Sequence, residues 1–215
     1  MAHQKEQKQV DKSHYEFTSY LTKERMASYW HQIDEALRLN PESILIVGNG
    51  DNLVRDILAS RVKEVVTFDI AEDLNPDILG SVTNLTESLA GKQFDVILCC
   101  QVLEHLPYDQ FETCLRELHH ASRKSVIISL PQRYYFFELN VLNTNKKVIS
   151  WSLLINKKNK PIVFKGEHYW EIGSTGCSKN QIEKDMSKFF NVEKTYYVKE
   201  LPYHRFYILS KKESI

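Results

Sequence analysis

The chain has 215 residues, enough for one domain with a large core, and its 42% hydrophobic and 26% charged content is ordinary for a soluble globular protein. Lys plus Arg equals Asp plus Glu at 28 each, so the formal net charge is zero. That balance argues against a duplex nucleic-acid binder, which is more often basic overall, though it leaves a local basic patch open.

In chain order, residues 1–14 read as a flexible tail: residues 1 to 13 are polar and hold no apolar stretch of the kind a secretion signal carries. Residues 15–215 read as a single domain. Met26, Trp30, Ile33 and Leu37 recur at helical spacing, and Asn40-Pro41 stops that helix. Ser43 to Val47 is the first strand, Asp51 to Ser60 a helix with Leu53, Val54, Ile57 and Leu58 on its apolar side, and Glu64 to Ile70 the second strand. Asp77 to Val82 is a short third strand. Phe94 to Cys100 is nearly all apolar and reads as a central strand buried on both faces. Phe111, Leu115 and Leu118 mark another helix, and Ser125 to Leu130 a fifth strand. The alternation predicts an α/β fold, a Rossmann-like doubly wound sheet with helices on both sides. At the end, Val192 to Lys199 and Tyr203 to Ser210 are joined too closely to be parallel, so the sheet should be mixed.

The rhythm breaks between Pro131 and Glu167. Lys147 to Ile155, a turn at Asn156 to Asn159 and Pro161 to Lys165 are expected to form a hairpin, and the segment of about 132–165 a lid over an acceptor pocket. Of the four cysteines, Cys99 and Cys100 sit side by side in a strand, with their side chains on opposite faces. With Cys114 and Cys177 they read as thiols, not as a disulfide framework, and point to a reducing, cytoplasmic setting. No apolar run approaches transmembrane length.

The loop Gly48-Asn49-Gly50 follows the first strand, where doubly wound sheets bind ligands, and its glycines let backbone approach a ligand closely. Asp69 ends the second strand about twenty residues on, the spacing used by an acid that accepts hydrogen bonds from ribose hydroxyls. Leu53 holds the place of the last glycine in G-x-G-x-x-G, which disfavours a nicotinamide-dependent oxidoreductase.

With FDVILCCQVLEHL at residues 94–106, the chain resembles class I S-adenosylmethionine-dependent methyltransferases, of the broad type that includes ubiquinone-biosynthesis O-methyltransferases. The resemblance spans roughly residues 20 to 212 and implies a seven-stranded sheet closed by an antiparallel C-terminal strand. It implies S-adenosyl-L-methionine as cofactor, with Gly48, Asn49 and Gly50 against its methionine part. Asp69 and Ile70 would lie at the ribose, Ser81 and Val82 at the adenine, and Cys100 and Gln101 under the sulfonium. Three positions depart from the family pattern: Ile46 replaces the acid two residues before the first glycine, Asn52 the third glycine, and Ser81 the acid near the adenine.

Gln101, Glu104 and His105 are spaced to share one helix face beside the expected methyl, and His168 and Glu171 follow the inserted segment in GEHYWEIG. The run resembles the E-x-x-E-H metal site of small-RNA 2′-O-methyltransferases, with Gln101 in place of the first acid. That likeness implies Glu104, His105 and His168 as catalytic residues and as ligands of a divalent metal; the plainer reading is that the histidine is a buried hydrogen-bonding residue. His119-His120 and His204 read as surface and strand residues. Tyr15, Phe17 and Tyr20 crowd the candidate lid with Tyr134 to Phe137; core packing accounts for most of them, and the resemblance implies that the second group sits where family members shape the acceptor pocket. The sequence thus reads as a methyltransferase acting on a small-molecule or saccharide- or lipid-linked acceptor. The alternative is a non-catalytic S-adenosylmethionine-binding regulatory or partner protein.

Overall fold

The computed structural model describes residues 12–142, 148–157 and 160–213. Strands β1 (Ser43–Val47), β2 (Glu64–Asp69), β3 (Ile78–Leu79), β4 (Phe94–Cys100) and β5 (Ser122–Pro131) are parallel. After a hairpin of β6 (Tyr134–Leu142) and β7 (Val148–Asn156), β8 (Phe190–Tyr197) and β9 (His204–Lys211) complete the main sheet, which runs β3-β2-β1-β4-β5-β9-β8. Strand β9 is antiparallel to both its neighbours. The expected mixed seven-stranded sheet with an antiparallel C-terminal strand is therefore present.

Alternate residues of the central strands feed two cores, because successive side chains of a strand point to opposite faces. Leu45, Val47, Ile97, Cys99, Val126 and Ile128 pack with helix α5 (Phe111–Ala121), the short α4 (Leu85–Ser88) and α6 (Lys179–Met186). Ile44, Ile46, Val96, Leu98 and Ile127 pack on the other side with α2 (Lys23–Arg38) and α3 (Leu53–Ala59); α1 (Phe17–Tyr20) is a single turn before α2. Each Leu or Ile buried completely contributes roughly 1.5–3 kcal/mol. The four cysteines are free, and Cys99 and Cys100 do face opposite cores.

Several expectations need correction. In α2 the buried positions are Ser28, Tyr29, Gln32, Glu35 and Ala36, whereas Met26 and Trp30 of the anticipated stripe are exposed. The inserted hairpin pairs Tyr134–Leu142 with Val148–Asn156, not 147–155 with 161–165; no strand forms at 161–165. Tyr134 to Leu142 is the better partner because its aromatic and branched residues suit a strand, while Pro161 lacks the amide hydrogen that a ladder needs. Lys12 to Tyr15 form a 3-10 turn. The expectations for residues 1–11 and for Lys158-Asn159 lie outside the described residues.

Candidate functional site

The strand order reverses between β1 and β4. At their carboxyl ends lies a cavity of about 550 Å³. All nine residues expected to contact the cofactor line it: Gly48, Asn49, Gly50, Asp69, Ile70, Ser81, Val82, Cys100 and Gln101.

Gly48 has φ +89°, and a Cβ there would lie 2.5 Å from Val102 Cγ2, so only glycine fits. Asn52, at the third-glycine position, adopts the left-handed conformation (φ 65°), which Asn tolerates, and it sits at the N-cap of α3. Asp69 does more than end a strand. Its Oδ2 accepts the Asn49 amide at 2.6 Å and its Oδ1 the Ala71 amide at 2.8 Å, so it also holds the glycine loop. Each oxygen retains acceptor capacity for a ligand hydroxyl. Asn49 Nδ2 donates to the Leu74 carbonyl at 2.8 Å, while its buried Oδ1 has no partner among the described residues. Ile46 supplies apolar wall where the family carries an acid. Ser81 is engaged with Thr83 through both the hydroxyl and the amide of that residue. Burial pushes the Cys100 thiol up to about 12, so it stays protonated.

The opposite wall comes largely from the N-terminal segment. Tyr15, Tyr20, Arg25, Tyr29, Gln32 and Asp51 line the same cavity. Arg25 donates to Tyr20 Oη at 2.9 Å and lies over that ring, and Tyr29 donates to Asp51 Oδ2 at 3.2 Å. Of the aromatics singled out in the sequence, Tyr15 and Tyr20 reach the cavity, and Phe17 is exposed. Arg25, Gln32 and Asp51 were not anticipated; the only sequence signal was their place on or beside elements flanking the glycine loop. His204 is not a plain strand residue: it lines the cavity, is buried, and its Nδ1 lies 2.8 Å from Ser28 Oγ. His119 is likewise buried, 3.0 Å from the Lys212 carbonyl. Among the described residues the hairpin β6–β7 supplies no lining side chain; of the expected lid, Phe164 does, stacked on Tyr169 with ring centroids 4.0 Å apart.

Beside the cavity, Glu104, His105 and His168 converge, each offering one donor atom within 4.8 Å of the others. Anchors just after His168 in the chain hold it there. The Tyr169 amide donates to the Glu104 carbonyl at 2.9 Å, Trp170 Nε1 donates to the Leu106 carbonyl at 2.9 Å, and the Ile172 amide donates to the Pro131 carbonyl. Gln101 does not join the group. It takes φ 56° instead of starting a helix, and its amide side chain donates to Ser129 Oγ at 3.2 Å.

Glu104 is fully buried, and neither carboxyl oxygen has a hydrogen-bond partner among the described residues. Burial raises its pKa to about 7, against the pull of His168. Burial, with the charge of His168, lowers His105 to about 4; its Nδ1 faces the Glu167 carbonyl at 3.0 Å, so Nδ1 carries the proton and Nε2 the lone pair. Burial alone would lower His168, but the hydrogen bond to Glu171, with the charge of Glu104, raises it instead. Its Nδ1 donates to Glu171 Oε1 at 3.1 Å, an oxygen that also accepts from Tyr203 Oη at 2.5 Å.

Such an arrangement suits a divalent cation. Nδ1 of His105 and of His168 is held by a carbonyl and a carboxylate, as the second nitrogen of a metal-bound histidine usually is, and the buried Glu104 would supply a carboxylate ligand. Ligand distances near 2 Å bring donors to within roughly 4 Å of one another, so a small side-chain adjustment closes the set.

Residues 45–129 match the sequence model described as a methyltransferase domain. No curated protein matches the chain by sequence. Among solved structures, the fold is similar to that of the N-methyltransferase NodS from Bradyrhizobium japonicum WM9 in complex with S-adenosyl-L-homocysteine (TM-score 0.61, 7% identity, 90% of each chain covered). It is also similar to Burkholderia thailandensis 1,6-didemethyltoxoflavin-N1-methyltransferase (0.59, 13%, 94% of this chain and 85% of that one). A third is magnesium protoporphyrin IX methyltransferase from Synechocystis PCC 6803 with bound S-adenosylmethionine (0.54, 15%, 87% and 81%). The likeness to these structures shows the fold: a Rossmann-like mixed seven-stranded sheet of the kind these methyltransferases carry, with residues 45–129 similar in sequence to the methyltransferase domain.

Proposed function

We propose that the chain is an S-adenosylmethionine-dependent methyltransferase acting on a small-molecule or saccharide- or lipid-linked acceptor. The observation that carries this reading is the single cavity into which the glycine loop, Asp69 and His105 all open. In it, Asp69 takes the ribose hydroxyls with its remaining lone pairs, and the Gly48–Gly50 backbone lies against the methionine part. Ser81 and Val82 border the adenine, and Cys100 and Gln101 floor the sulfonium. When bound, the donor supplies a methyl on a good leaving group, so holding the acceptor in line with it does most of the work. Tyr15, Tyr20, Phe164 and Tyr169 exclude water from that line. The free thiols support a cytoplasmic setting.

We further propose that Glu104, His105 and His168 hold a divalent cation next to the acceptor. When bound, it would polarise an acceptor hydroxyl and lower its pKa. A second reading rests on the Tyr203–Glu171–His168 chain: His168, oriented by Glu171, takes the acceptor proton without a metal. An acceptor screen with radiolabelled methyl donor tests the whole proposal. Activity lost to EDTA and regained with Mg²⁺, Mn²⁺ or Co²⁺ supports the metal. Activity indifferent to EDTA but lost in His168→Ala supports the base. Cofactor binding with no transfer to any acceptor leaves the non-catalytic alternative.

A further inference from the structure

The hairpin is amphipathic in the wrong sense for water. The side of it that faces the body of the protein carries polar residues as well as apolar ones: Phe136 meets Tyr197 with ring centroids 5.9 Å apart, Ser152 Oγ lies 3.5 Å from Tyr197 Oη, and Lys199 donates to Glu138 at 2.8 Å. Its outward face is uniformly apolar. Tyr135, Phe137, Leu139 and Val141 project there from β6, and Trp151, Leu153 and Ile155 from β7. Cross-strand pairing sets Tyr135 opposite Ile155, Phe137 opposite Leu153 and Leu139 opposite Trp151, so these side chains form one continuous patch. Every one of them is between 41% and 61% exposed. A sheet with one face on the body normally shows water its polar side, and contiguous apolar patches of this kind mark interaction surfaces.

Charge selects the occupant. Between Pro131 and Gly166 the sequence has seven basic side chains and one acid, Glu138, in a chain of zero net charge, so the rest of the molecule is net acidic. Lys157 lies over the Tyr135 ring, 5.1 Å from its centroid, at the margin of the patch. A second copy seated face to face would bring two basic segments together, which is unfavourable. An anionic bilayer offers an apolar layer for the patch and negative headgroups for the lysines, and Trp and Tyr favour that boundary. No helix among the described residues is long and apolar enough to cross a membrane, so attachment would be peripheral.

We propose that the outward face of the β6–β7 hairpin docks on the surface of an anionic lipid bilayer. The docking is independent of the reaction proposed above.

Vesicle sedimentation of the full chain tests this, with phosphatidylglycerol–phosphatidylcholine vesicles against phosphatidylcholine alone and light scattering of the protein by itself. The expected result is a monomer that sediments with the anionic vesicles. Binding should fall about tenfold or more on neutral vesicles or in about 0.5 M salt. Leu139→Asp should lower it similarly without changing the melting temperature. Should that variant fail to fold, tryptophan emission in a Trp30→Phe background provides the second readout: Trp170 stays buried, so a shift to the blue with anionic vesicles reports Trp151. Absence of vesicle binding overturns the proposal. So does a stable dimer that Leu139→Asp dissociates, which would assign the face to a second copy of the chain.

Discussion

Two stretches of chain meet at the cavity and are held there by different means. From β1 to β4 the geometry is local: Gly48 turns directly off a buried strand, Asp69 clamps the Asn49 amide of that turn, and Gln101 bends sharply at the end of β4. From β5 to α6 it is long-range: His168 stands beside Glu104 because Trp170, Tyr169 and Ile172 are tied to the 3-10 turn at Leu103–His105 and Leu106 after β4 and to the end of β5. The first stretch is suited to a constant ligand, one whose shape the loop itself encodes. The second is where an acceptor and its chemistry can change while the sheet stays the same.

If that division holds, a change in the second stretch should damage the reaction and spare the cofactor. His168→Ala should lower turnover by about 10²–10⁴-fold. Its affinity for S-adenosylhomocysteine by titration should stay within about threefold of the parent. A matching loss of cofactor affinity would erase the distinction.

The converse substitution strikes the local half. Gly48→Ala should cost about 1–3 kcal/mol, read by denaturant unfolding, and weaken S-adenosylhomocysteine binding, because the new Cβ meets Val102 and the backbone is left-handed. Adding Val102→Ala should recover only part of the loss, since it relieves the contact and not φ. Full recovery would mean that Gly48 is needed for space alone.

The local half was also the legible one. β1 and β4 are buried on both faces, so their apolar runs have unmistakable limits at Ser43, Val47, Phe94 and Cys100. The α2 stripe misled because that helix turns Tyr29 and Gln32 toward the cavity, and polar residues there disguise the covered face. Strand β6 was missed because the aromatic run Tyr134 to Phe137 hides the alternation that begins only at Phe137. Helix α6 is mostly polar and left too little periodicity to read. That His168 would approach Glu104 followed from a resemblance, not from spacing. Tyr203, which completes the chain behind Glu171, arrives from between β8 and β9, and nothing near His168 in sequence announces it.

A smaller effect tests the packing between the two halves. His204 lines the cavity from β9, and burial, with the nearby charge of Arg25, lowers its pKa to about 3. The unfolded chain binds this proton near pH 6.5 and the folded protein does not, so the group makes stability fall as pH drops from about 6.5 toward 3. His105, lowered to about 4, acts in the same direction. Urea unfolding at pH 7 and pH 5 should show His204→Gln losing about 1–2 kcal/mol less between the two than the parent. An equal loss in both proteins would mean that His204 is not held neutral in the fold.

The central claim, that the cavity takes a methyl donor through Asp69, is tested most directly by calorimetry of the full chain with S-adenosylhomocysteine and NAD, alongside Asp69→Asn, which keeps the size of the side chain and removes its charge. The expected result is one S-adenosylhomocysteine bound per chain, affinity reduced at least about tenfold in a folded Asp69→Asn variant, and no NAD binding. Binding of NAD, or S-adenosylhomocysteine affinity unchanged in Asp69→Asn, would contradict it.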